Sequence, residues 1–428
     1  MKIDVSEFAK PCACGHAHAI SVRDIFVEAG AIRRLPSLLT QYAYTSPVIL
    51  CDDNTFEAAG RAVRELLPDS GLIVLNPENL HANERAVAMA EEQLDALAHS
   101  PDVLLAVGSG TIHDTTRYIA HKRSLPFISV PTAASVDGFV STVAAMTWNG
   151  CKKTFPAVAP ILVVADSDIF SRAPHRLNAS GFSDLLGKYT ALADWKISHA
   201  VTGEYICDRV CELEYDALKV VCERLDAIRA GGQEACEQLM YALLLSGLAM
   251  QMVGNSRPAS GAEHHMSHLW EMEVINDHVD YYHGEKVSVG LVLSSGIYHR
   301  AAEEIRKGAF TIKDHMDVEM PLLEASFPDK AMFAEIMDEN EPNPLAAVKP
   351  DALRAALPEI LRFIDEIPAP EKLIDMLTQA GAVKSLADIG LPASMQAPTA
   401  HLSPYVRARL TFMRLLKMFT FERDIFSA

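Results

Sequence analysis

The chain has 428 residues, of which 49% are hydrophobic and 22% are charged, as in a globular protein of roughly two or three domains. Its formal net charge of −18 argues against nucleic acid and anionic membrane surfaces as partners. No uninterrupted apolar run approaches the roughly 20 residues that cross a bilayer, which argues against membrane insertion.

The N-terminus and the cysteines indicate a cytoplasmic protein. Residues 1–10 (MKIDVSEFAK) lack the apolar core of a signal peptide. The eight cysteines include no C-x-x-C pair, so we expect reduced thiols.

The segment CACGHAH carries Cys12, Cys14, His16 and His18 at alternate positions. In an extended strand these side chains share one face but spread over about 20 Å, at roughly 3.3 Å per residue. That spread predicts no metal site here unless the chain turns sharply at Gly15.

Up to about residue 170, short apolar runs alternate with segments of helical periodicity. The segments predict helices at 56–67, 80–99 and 112–121. The runs predict buried strands at 47–53, 71–76, 102–110, 126–132 and 160–166. This alternation predicts a parallel sheet covered on both faces, that is, an α/β N-terminal domain.

From about residue 180, long stretches rich in Ala, Leu and Glu predict an all-α C-terminal domain, with the boundary within 171–181. Residues 308–350 are expected to be an irregular connection. The predicted helices cover 182–200, 204–229, 233–253, 261–275, 284–307, 351–365, 369–380 and 403–418.

LLAVGSGTIHD (104–114) predicts a strand that passes through a glycine turn into a helix. Gly108 and Gly110 would let the backbone approach a phosphate, and the amides at the helix start favour an anion. A plain strand–helix turn explains the same residues, and the third glycine of the usual dinucleotide fingerprint is missing.

Two carboxylates follow predicted strands. Asp52 could accept hydrogen bonds from the ribose hydroxyls of an adenosine and repel a 2′-phosphate. Alternatively, it could simply cap the next helix. Asp137 is the one charge in the loop SVPTAASVDGFVS (129–141), whose small side chains would admit a flat ring or a phosphate; a crowded sheet edge is the alternative.

Asp184 lies in NASGFSDLLGKYTALADWKIS (178–198), near the start of a predicted helix. A helix-start aspartate that interacts with the macrodipole, or an ordinary pair with Lys188 one turn later, explains it without any function.

Five histidines fall within residues 260–286. On a helix, His264 and His268 share a face, whereas His265 points about 100° away. Two histidines from separate elements together with Asp184 would form a three-ligand set with an open position, which is typical of a catalytic metal site. His265 and His278 are expected at the surface or in supporting positions.

These stretches together resemble the sn-glycerol-1-phosphate dehydrogenases, within the superfamily of iron-type alcohol dehydrogenases, glycerol dehydrogenases and dehydroquinate synthases. The matching motifs, in order, are GSGTIHD, PTAASVDG, GFSDLLGKYTALADWKIS, SRPASGAEHHMSHLWEM and HGEKVSVG. The resemblance implies a dehydroquinate synthase-like fold, with a Rossmann-like dinucleotide-binding domain over 1–175 and a helical metal- and substrate-binding domain over 176–428.

The resemblance also implies residue roles. Asp184, His264 and His283 look like the ligands of one divalent metal ion (Zn, Ni or Fe), and Asp137, Asp184 and His268 look like catalytic, substrate-contacting residues. The site for NAD(H), preferred over NADP(H), looks like Asp52, Gly110, Thr111, Ile112, His113, Asp114, Thr132, Ala133, Ala134, Ser135 and Ser141. The chain departs from the family pattern at Val136, where His is common, and at Thr142, where Pro is common.

The implied reaction is the reversible, NAD(P)H-linked and metal-dependent reduction of dihydroxyacetone phosphate to sn-glycerol 1-phosphate. Arg257, Lys188 and Lys153 are the candidate cations for the phosphate. The alternatives are a glycerol or polyol dehydrogenase that acts on an unphosphorylated substrate, and a dehydroquinate synthase-like cyclase. A homo-oligomer, a dimer, is expected.

Overall fold

The computed structural model describes residues 2–272 and 279–427, so His278 lies outside the described residues. The chain forms two units that interleave along the sequence. The sheet unit comprises Met1–Trp148, Lys152–Leu185 and Glu212–Asn255, and the helical unit comprises Asn149–Cys151, Leu186–Cys211 and Ser256–Ala428. The domain division after residue 175 stays a prediction.

The sheet unit is built on six parallel strands. In chain order the strands are β1 (Lys2–Ile3), β2 (Asp24–Glu28), β3 (Pro47–Asp52), β4 (Gly71–Leu75), β5 (Val103–Gly108), β6 (Phe127–Pro131), β7 (Val143–Trp148), β8 (Cys151–Pro156) and β9 (Leu162–Asp166). The main sheet has the order β1-β2-β9-β6-β5-β3-β4, in which only the pairing of β1 with β2 is antiparallel. The predicted parallel sheet is confirmed.

Apolar side chains on these strands alternate between two cores. Ile49 and Leu105 belong to one buried cluster, whereas Val48 and Leu104 belong to another. Because successive side chains of a strand face opposite sides, both faces of the sheet are covered, and the strands therefore appear in the sequence as unbroken apolar runs. β2 is not among the expected strands, since its sequence DIFVE offers only three apolar residues between two charges.

The helices complete both units. In chain order they are α1 (Leu35–Gln41), α2 (Asp53–Thr55), α3 (Arg61–Leu66), α4 (Glu84–Asp95), α5 (Gly110–Lys122), α6 (Ser167–Phe170), α7 (His175–Leu186), α8 (Lys188–Thr202), α9 (Asp208–Cys222), α10 (Leu225–Arg229), α11 (Gln233–Val253), α12 (Ala262–Trp270), α13 (His283–Lys307), α14 (Met320–Ser326), α15 (Lys330–Asp338), α16 (Pro350–Asp365), α17 (Pro370–Ala380), α18 (Gln396–Leu402) and α19 (Phe412–Leu415). A short antiparallel pair, β10 (Phe310–Ile312) and β11 (Phe419–Phe421), belongs to the helical unit. The mostly helical C-terminal half is confirmed.

Several expectations for the helices differ from the structure. The stretch 204–229 forms two helices, α9 and α10, instead of one. The stretch 182–200 is divided at Gly187 into α7 and α8. The helix expected over 403–418 is wrong, because only α19 is α-helical there and Pro404 lies in a short 3-10 turn instead. Residues 308–350 contain α14 and α15 and are therefore not purely irregular.

α12 and α13 cross closely inside the helical unit. A Cβ placed on Gly290 would lie 2.5 Å from the carbonyl oxygen of Glu263, so only glycine permits this approach. Met266, Ile297 and Ile360, on α12, α13 and α16, are fully buried in the main apolar cluster of the unit. This packing fixes the positions of the histidines on α12 and at the start of α13.

Among the described residues, one helix is long and apolar enough to cross a membrane by length and composition, namely α11. Its most apolar window is 78% buried inside the protein. Its burial explains the apolar composition of α11 as that of a core helix.

Asp194 on α8 joins three elements of the helical unit. Its carboxylate accepts hydrogen bonds from the amide of Ala262 at 2.8 Å, the amide of Phe412 at 2.7 Å and the hydroxyl of Tyr298 at 2.8 Å. Burial raises the pKa of Asp194 to about 7.

Asp194→Ala is expected to lower the free energy of unfolding by about 3 kcal/mol or more, because each buried donor that loses its acceptor costs ~1–3 kcal/mol. Guanidinium unfolding followed by circular dichroism measures this loss. The control on the same helix is Lys196→Ala, which removes a pair with Glu366 and should cost at most about 1 kcal/mol. Equal losses for the two variants would contradict the central role of Asp194.

Candidate functional site

The carboxyl ends of β3, β5 and β6 lie side by side in the sheet unit. β4 flanks β3 on one side, and β5, β6 and β9 extend the sheet on the other, so the strand order reverses between β3 and β5. Ligands of open α/β sheets bind at such a switch point. Asp52 ends β3, and Gly110 and Thr132 follow β5 and β6, so the residues predicted for the dinucleotide belong to one sheet edge.

Asp52 caps the helix that follows β3. Its Oδ1 accepts from the amide of Thr55 at 2.8 Å, and the Thr55 hydroxyl in turn accepts from the Asp52 amide at 2.9 Å. The capping alternative is therefore observed. Because a carboxylate has two oxygens, the cap is compatible with a ribose contact, which stays a prediction.

The turn between β5 and α5 has the form expected of an anion site. A Cβ on Gly108 would lie 2.6 Å from Ile112 Cβ, so the turn requires glycine there. The N-cap residue Ser109 makes no side-chain capping bond to the first turn of α5. Amides at the start of a helix of this length favour a phosphate.

His113 and Asp114 hold the turn by their side chains. The buried ring of His113 lies 2.9 Å from the carbonyl oxygen of Ser109 and 2.8 Å from the hydroxyl of Ser129, and burial lowers its pKa to about 3. Asp114 accepts from the Arg117 guanidinium at 2.5 Å. Both side chains have structural partners, and their contacts with a dinucleotide stay predictions.

The loop after β6 is held against α7. A Cβ on Gly181 would lie 2.0 Å from the carbonyl oxygen of Ala134, so the helix approaches the loop only because residue 181 is glycine. The Ser180 hydroxyl donates to the carbonyl of Ser135 at 3.3 Å, and the Asp184 carboxylate accepts from the Asp137 amide at 2.9 Å. Asp137 and Asp184, both predicted from the sequence, are thus in direct contact.

Two buried side chains that the sequence did not single out fix the end of this loop. Arg117 donates to the carbonyl of Gly138 at 2.5 Å and to that of Phe139 at 3.2 Å, and Gln251 donates to the carbonyl of Val140 at 2.5 Å. The position of an arginine in the sequence does not show whether its guanidinium is buried. The sequence therefore did not indicate a role for Arg117. The hydroxyl of the predicted residue Ser141 pairs with the backbone of Val143.

Asp137 also belongs to a buried polar chain. The Ser246 hydroxyl lies 3.0 Å from the Asp137 carboxylate and 3.0 Å from the Glu214 carboxylate. A hydroxyl has one proton and can donate to only one of them at a time. The carboxylate of Asp137 is therefore held in a defined orientation.

Three predicted histidines come together in the helical unit. The ring centroids of His264 and His283 are 5.1 Å apart. The ring centroid of His268 lies 6.1 Å from that of His264 and 5.9 Å from that of His283. His264 and His268 are buried on α12, one turn apart, and His283 begins α13.

Each of the two predicted metal histidines has a carboxylate on its Nδ1 atom. His264 Nδ1 lies 2.7 Å from Glu263, and His283 Nδ1 lies 3.1 Å from Glu271. A carboxylate on Nδ1 fixes the neutral ring with its proton there and leaves Nε2 as the ligand atom, which is the usual support of a metal-binding histidine. The donor set of the helical unit therefore fits a divalent metal ion.

The two supporting glutamates were not identified from the sequence, although Glu263 directly precedes His264. Glu263 is fully buried and also accepts from the hydroxyl of Thr190 and the amide of Gly261. Burial alone would raise the pKa of Glu263, but the hydrogen bond from His264 and its other donors lower it overall.

His265 is separate from this cluster. Only 1% of its surface is exposed, so of the two expected positions the surface one is wrong, and the supporting one stays a prediction. Neither ring nitrogen has a hydrogen-bond partner in the described part of the chain. Burial, followed by the positive charge of Arg409, holds the pKa of His265 well below its usual value.

The candidate phosphate cations differ in their surroundings. Arg257 makes hydrogen bonds to Glu204 through two guanidinium nitrogens and to the carbonyl of Leu410 at 2.8 Å. Lys188 is fully buried at the start of α8 and donates to the carbonyl of Ala259 at 3.2 Å. Lys153 is half-buried on β8.

Glu263→Gln and Glu271→Gln are each expected to weaken metal binding about 10- to 100-fold, because each removes the charge that orients a metal histidine. Competition with a chelator of known affinity measures the change. Glu304→Gln, at the far end of α13, is the matched control and should bind metal like the unsubstituted protein. Unchanged affinity in both test variants would contradict the supporting role.

Known dehydrogenases are similar to this chain in sequence. The sequence profile of the iron-containing alcohol dehydrogenase family matches residues 26–174. Glycerol-1-phosphate dehydrogenase [NAD(P)+] of Geobacillus stearothermophilus is 35% identical over 395 residues, which cover 91% of this chain and 90% of that protein. The enzyme of the same name from Bacillus velezensis is 42% identical over 69% of this chain and 76% of its own length.

Solved structures show the same fold at low identity. A probable glycerol dehydrogenase from Sinorhizobium meliloti superposes with a TM-score of 0.62 at 19% identity, covering 94% of this chain and 96% of that one. At this identity the likeness concerns the fold alone.

Proposed function

Since the chain belongs to the glycerol-1-phosphate dehydrogenase family, within the iron-containing alcohol dehydrogenases, we propose that it reduces dihydroxyacetone phosphate reversibly to sn-glycerol 1-phosphate. The chain is an NAD(P)-dependent oxidoreductase. The observation that carries the metal-dependent form of the proposal is the pair His264 and His283, each with a carboxylate on Nδ1.

Asp184, His264 and His283 would hold one divalent metal ion, either Zn, Ni or Fe. One carboxylate and two imidazoles leave an open coordination position, as in catalytic sites, and such a set accepts several divalent ions. When bound, the metal supplies a Lewis acid for the ketone, and the dinucleotide supplies the hydride.

Asp137 and His268 would act on the substrate directly. The Asp137 carboxylate, oriented by Ser246 and anchored through its own amide, would hold a substrate hydroxyl and so select the face of the ketone. His268 lies in the histidine cluster, one turn from His264, where it would contact the substrate and pass a proton to the developing alkoxide oxygen.

The dinucleotide would bind at the carboxyl edge of β3, β5 and β6. Residues Gly110, Thr111 and Ile112 would offer backbone amides to its phosphates, with His113 and Asp114 completing that turn. Thr132, Ala133, Ala134, Ser135 and Ser141 would line the nicotinamide side. Asp52 would favour NAD(H) over NADP(H), because its charge repels a 2′-phosphate.

Asp52→Asn is expected to relax cofactor preference about tenfold, measured as the ratio of kcat/KM for NADH and NADPH, which corresponds to about 1.4 kcal/mol. Asparagine retains the helix cap and removes only the charge. The neighbouring variant Asp53→Asn, at an exposed position, is the control and should keep the original ratio. An unchanged ratio in Asp52→Asn would remove Asp52 from the ribose site.

The phosphate of the substrate would be bound by a cation from the set Arg257, Lys188 and Lys153. Arg257 is engaged by Glu204, and the buried Lys188 donates to the carbonyl oxygen of Ala259. A buried cation gains from a bound anion, since burial disfavours its charge.

An assay of NADH oxidation that compares dihydroxyacetone phosphate with dihydroxyacetone tests the function. A steep preference for the phosphorylated ketone, with a product that an sn-glycerol-3-phosphate-specific enzyme ignores, is expected. A preference for dihydroxyacetone would indicate a glycerol or polyol dehydrogenase instead. Absence of net NADH consumption would indicate a cyclase that only recycles its cofactor.

We further propose a cytoplasmic homodimer that acts on a small molecule and has neither nucleic acid nor membrane as a partner. The net charge of −18 and the eight cysteines, none of which forms a disulfide in the described residues, support this location and this partner class. Sedimentation velocity measures the oligomeric state.

A further inference from the structure

The N-terminal segment CACGHAH is turned, not extended. Gly15 has a φ of +79°, which favours glycine, and its amide donates to the carbonyl of Cys12 at 3.2 Å. Ligand atoms of Cys12, Cys14 and His18 therefore lie within 4.8 Å of one another, instead of about 20 Å apart along a strand. The turn at Gly15 removes the reason for excluding a metal site here.

His18 is oriented in the tautomer that a metal requires. Its Nδ1 lies 2.6 Å from the carbonyl oxygen of Met252, at the end of α11. A carbonyl only accepts hydrogen bonds, so Nδ1 carries the proton and Nε2 has the lone pair in the neutral ring. Nε2 lies 3.5 Å from Cys14 Sγ, and the residue is only 5% exposed.

The spacing of these atoms agrees with tetrahedral zinc. Zn–S and Zn–N bonds of ~2.3 and ~2.05 Å at a tetrahedral angle place the sulfur and nitrogen about 3.6 Å apart. A hydrogen bond from the Cys14 thiol to His18 would explain that single distance. It would not explain why a second thiol, that of Cys12, lies in the same group.

We propose that Cys12, Cys14 and His18 bind a zinc ion, separate from the metal of the histidine cluster on α12 and α13. Binding would release the two thiol protons to solvent and leave two thiolates and one neutral imidazole as ligands. A water molecule would take the fourth position, or a further thiolate, whose formation would release a third proton. The ion would fasten the N-terminal segment to the end of α11, so its role is structural.

Cobalt substitution tests the site without recourse to activity. The full-length protein, stripped of metal and reloaded with Co²⁺, should show the intense near-ultraviolet charge-transfer band of thiolate bound to cobalt. The double variant Cys12→Ser/Cys14→Ser should lose this band, whereas His264→Ala should keep it, because the histidine cluster contains no thiolate. His16→Ala, which removes a ring whose Nδ1 lies 3.3 Å from the carbonyl oxygen of Cys14, is the matched control and should keep the band.

The summed content of zinc, nickel and iron provides the second measurement. About two equivalents per chain are expected for the unsubstituted protein, and about one for either Cys12→Ser/Cys14→Ser or His264→Ala. One equivalent that disappears only with the cysteines would support the N-terminal site while contradicting the catalytic metal. A thiolate band that persists in the double variant, or unsubstituted protein without any such band, would overturn the proposal.

Discussion

His264→Ala should abolish metal binding at the histidine cluster and lower kcat/KM by about a thousandfold or more, equivalent to at least about 4 kcal/mol of transition-state stabilisation. The substitution removes a ligand whose Nδ1 is already held by Glu263 and whose Nε2 is thereby presented for coordination. Metal content after dialysis and steady-state kinetics measure the two effects. Exhaustive chelation of the unsubstituted protein should reproduce the kinetic loss, with recovery on adding Zn²⁺, Ni²⁺ or Fe²⁺.

The matched control is His265→Leu, at the next position of the same helix. His265 is as buried as its neighbour, and its ring nitrogens have no hydrogen-bond partner in the described residues, so an apolar side chain of similar size should be neutral or stabilising. Metal content and kcat/KM should stay near those of the unsubstituted protein. Equal loss of metal in the two variants would refute the assignment of α12 faces, and full metal retention in His264→Ala would remove His264 from the ligand set.

The features that the sequence predicts best are those set by periodicity. Strands such as β5 and β6 are buried on both faces, so their apolar runs stand out without further information. Helical phase likewise separates His264 and His268 from His265, and the structure groups the first two with His283.

The features that the sequence does not predict depend on long-range contacts. Glu271 is important because it reaches His283, twelve residues away, and Arg117 because it binds a loop more than twenty residues away. Neither residue type is unusual at its position, and charged side chains are more often solvated. The arrangement of the N-terminal cysteines likewise could not be read from spacing, since it depends on whether the chain turns at Gly15, and the structure shows that it does.

Asp184 illustrates how one carboxylate combines two roles that the sequence cannot separate. It accepts from the amide of Asp137 and so holds the loop after β6, as an ordinary buried acceptor would. Asp184 is also a proposed metal ligand, and binding a divalent cation requires the negative charge of its carboxylate. Asparagine keeps an acceptor oxygen at the same place but has no charge, whereas alanine has neither.

Asp184→Asn should therefore lose metal and about a thousandfold of kcat/KM while its free energy of unfolding, measured without metal, changes by less than about 1 kcal/mol. Asp184→Ala should lose the same activity and, in addition, about 1–3 kcal/mol of stability, because the buried Asp137 amide loses its acceptor. Ser183→Ala, which removes a neighbouring hydroxyl on α7 that has no partner among the described residues, is the control and should leave both quantities nearly unchanged. Full metal content in Asp184→Asn would show that the carboxylate serves the loop alone, and the ligand set would then have to be completed by a different residue.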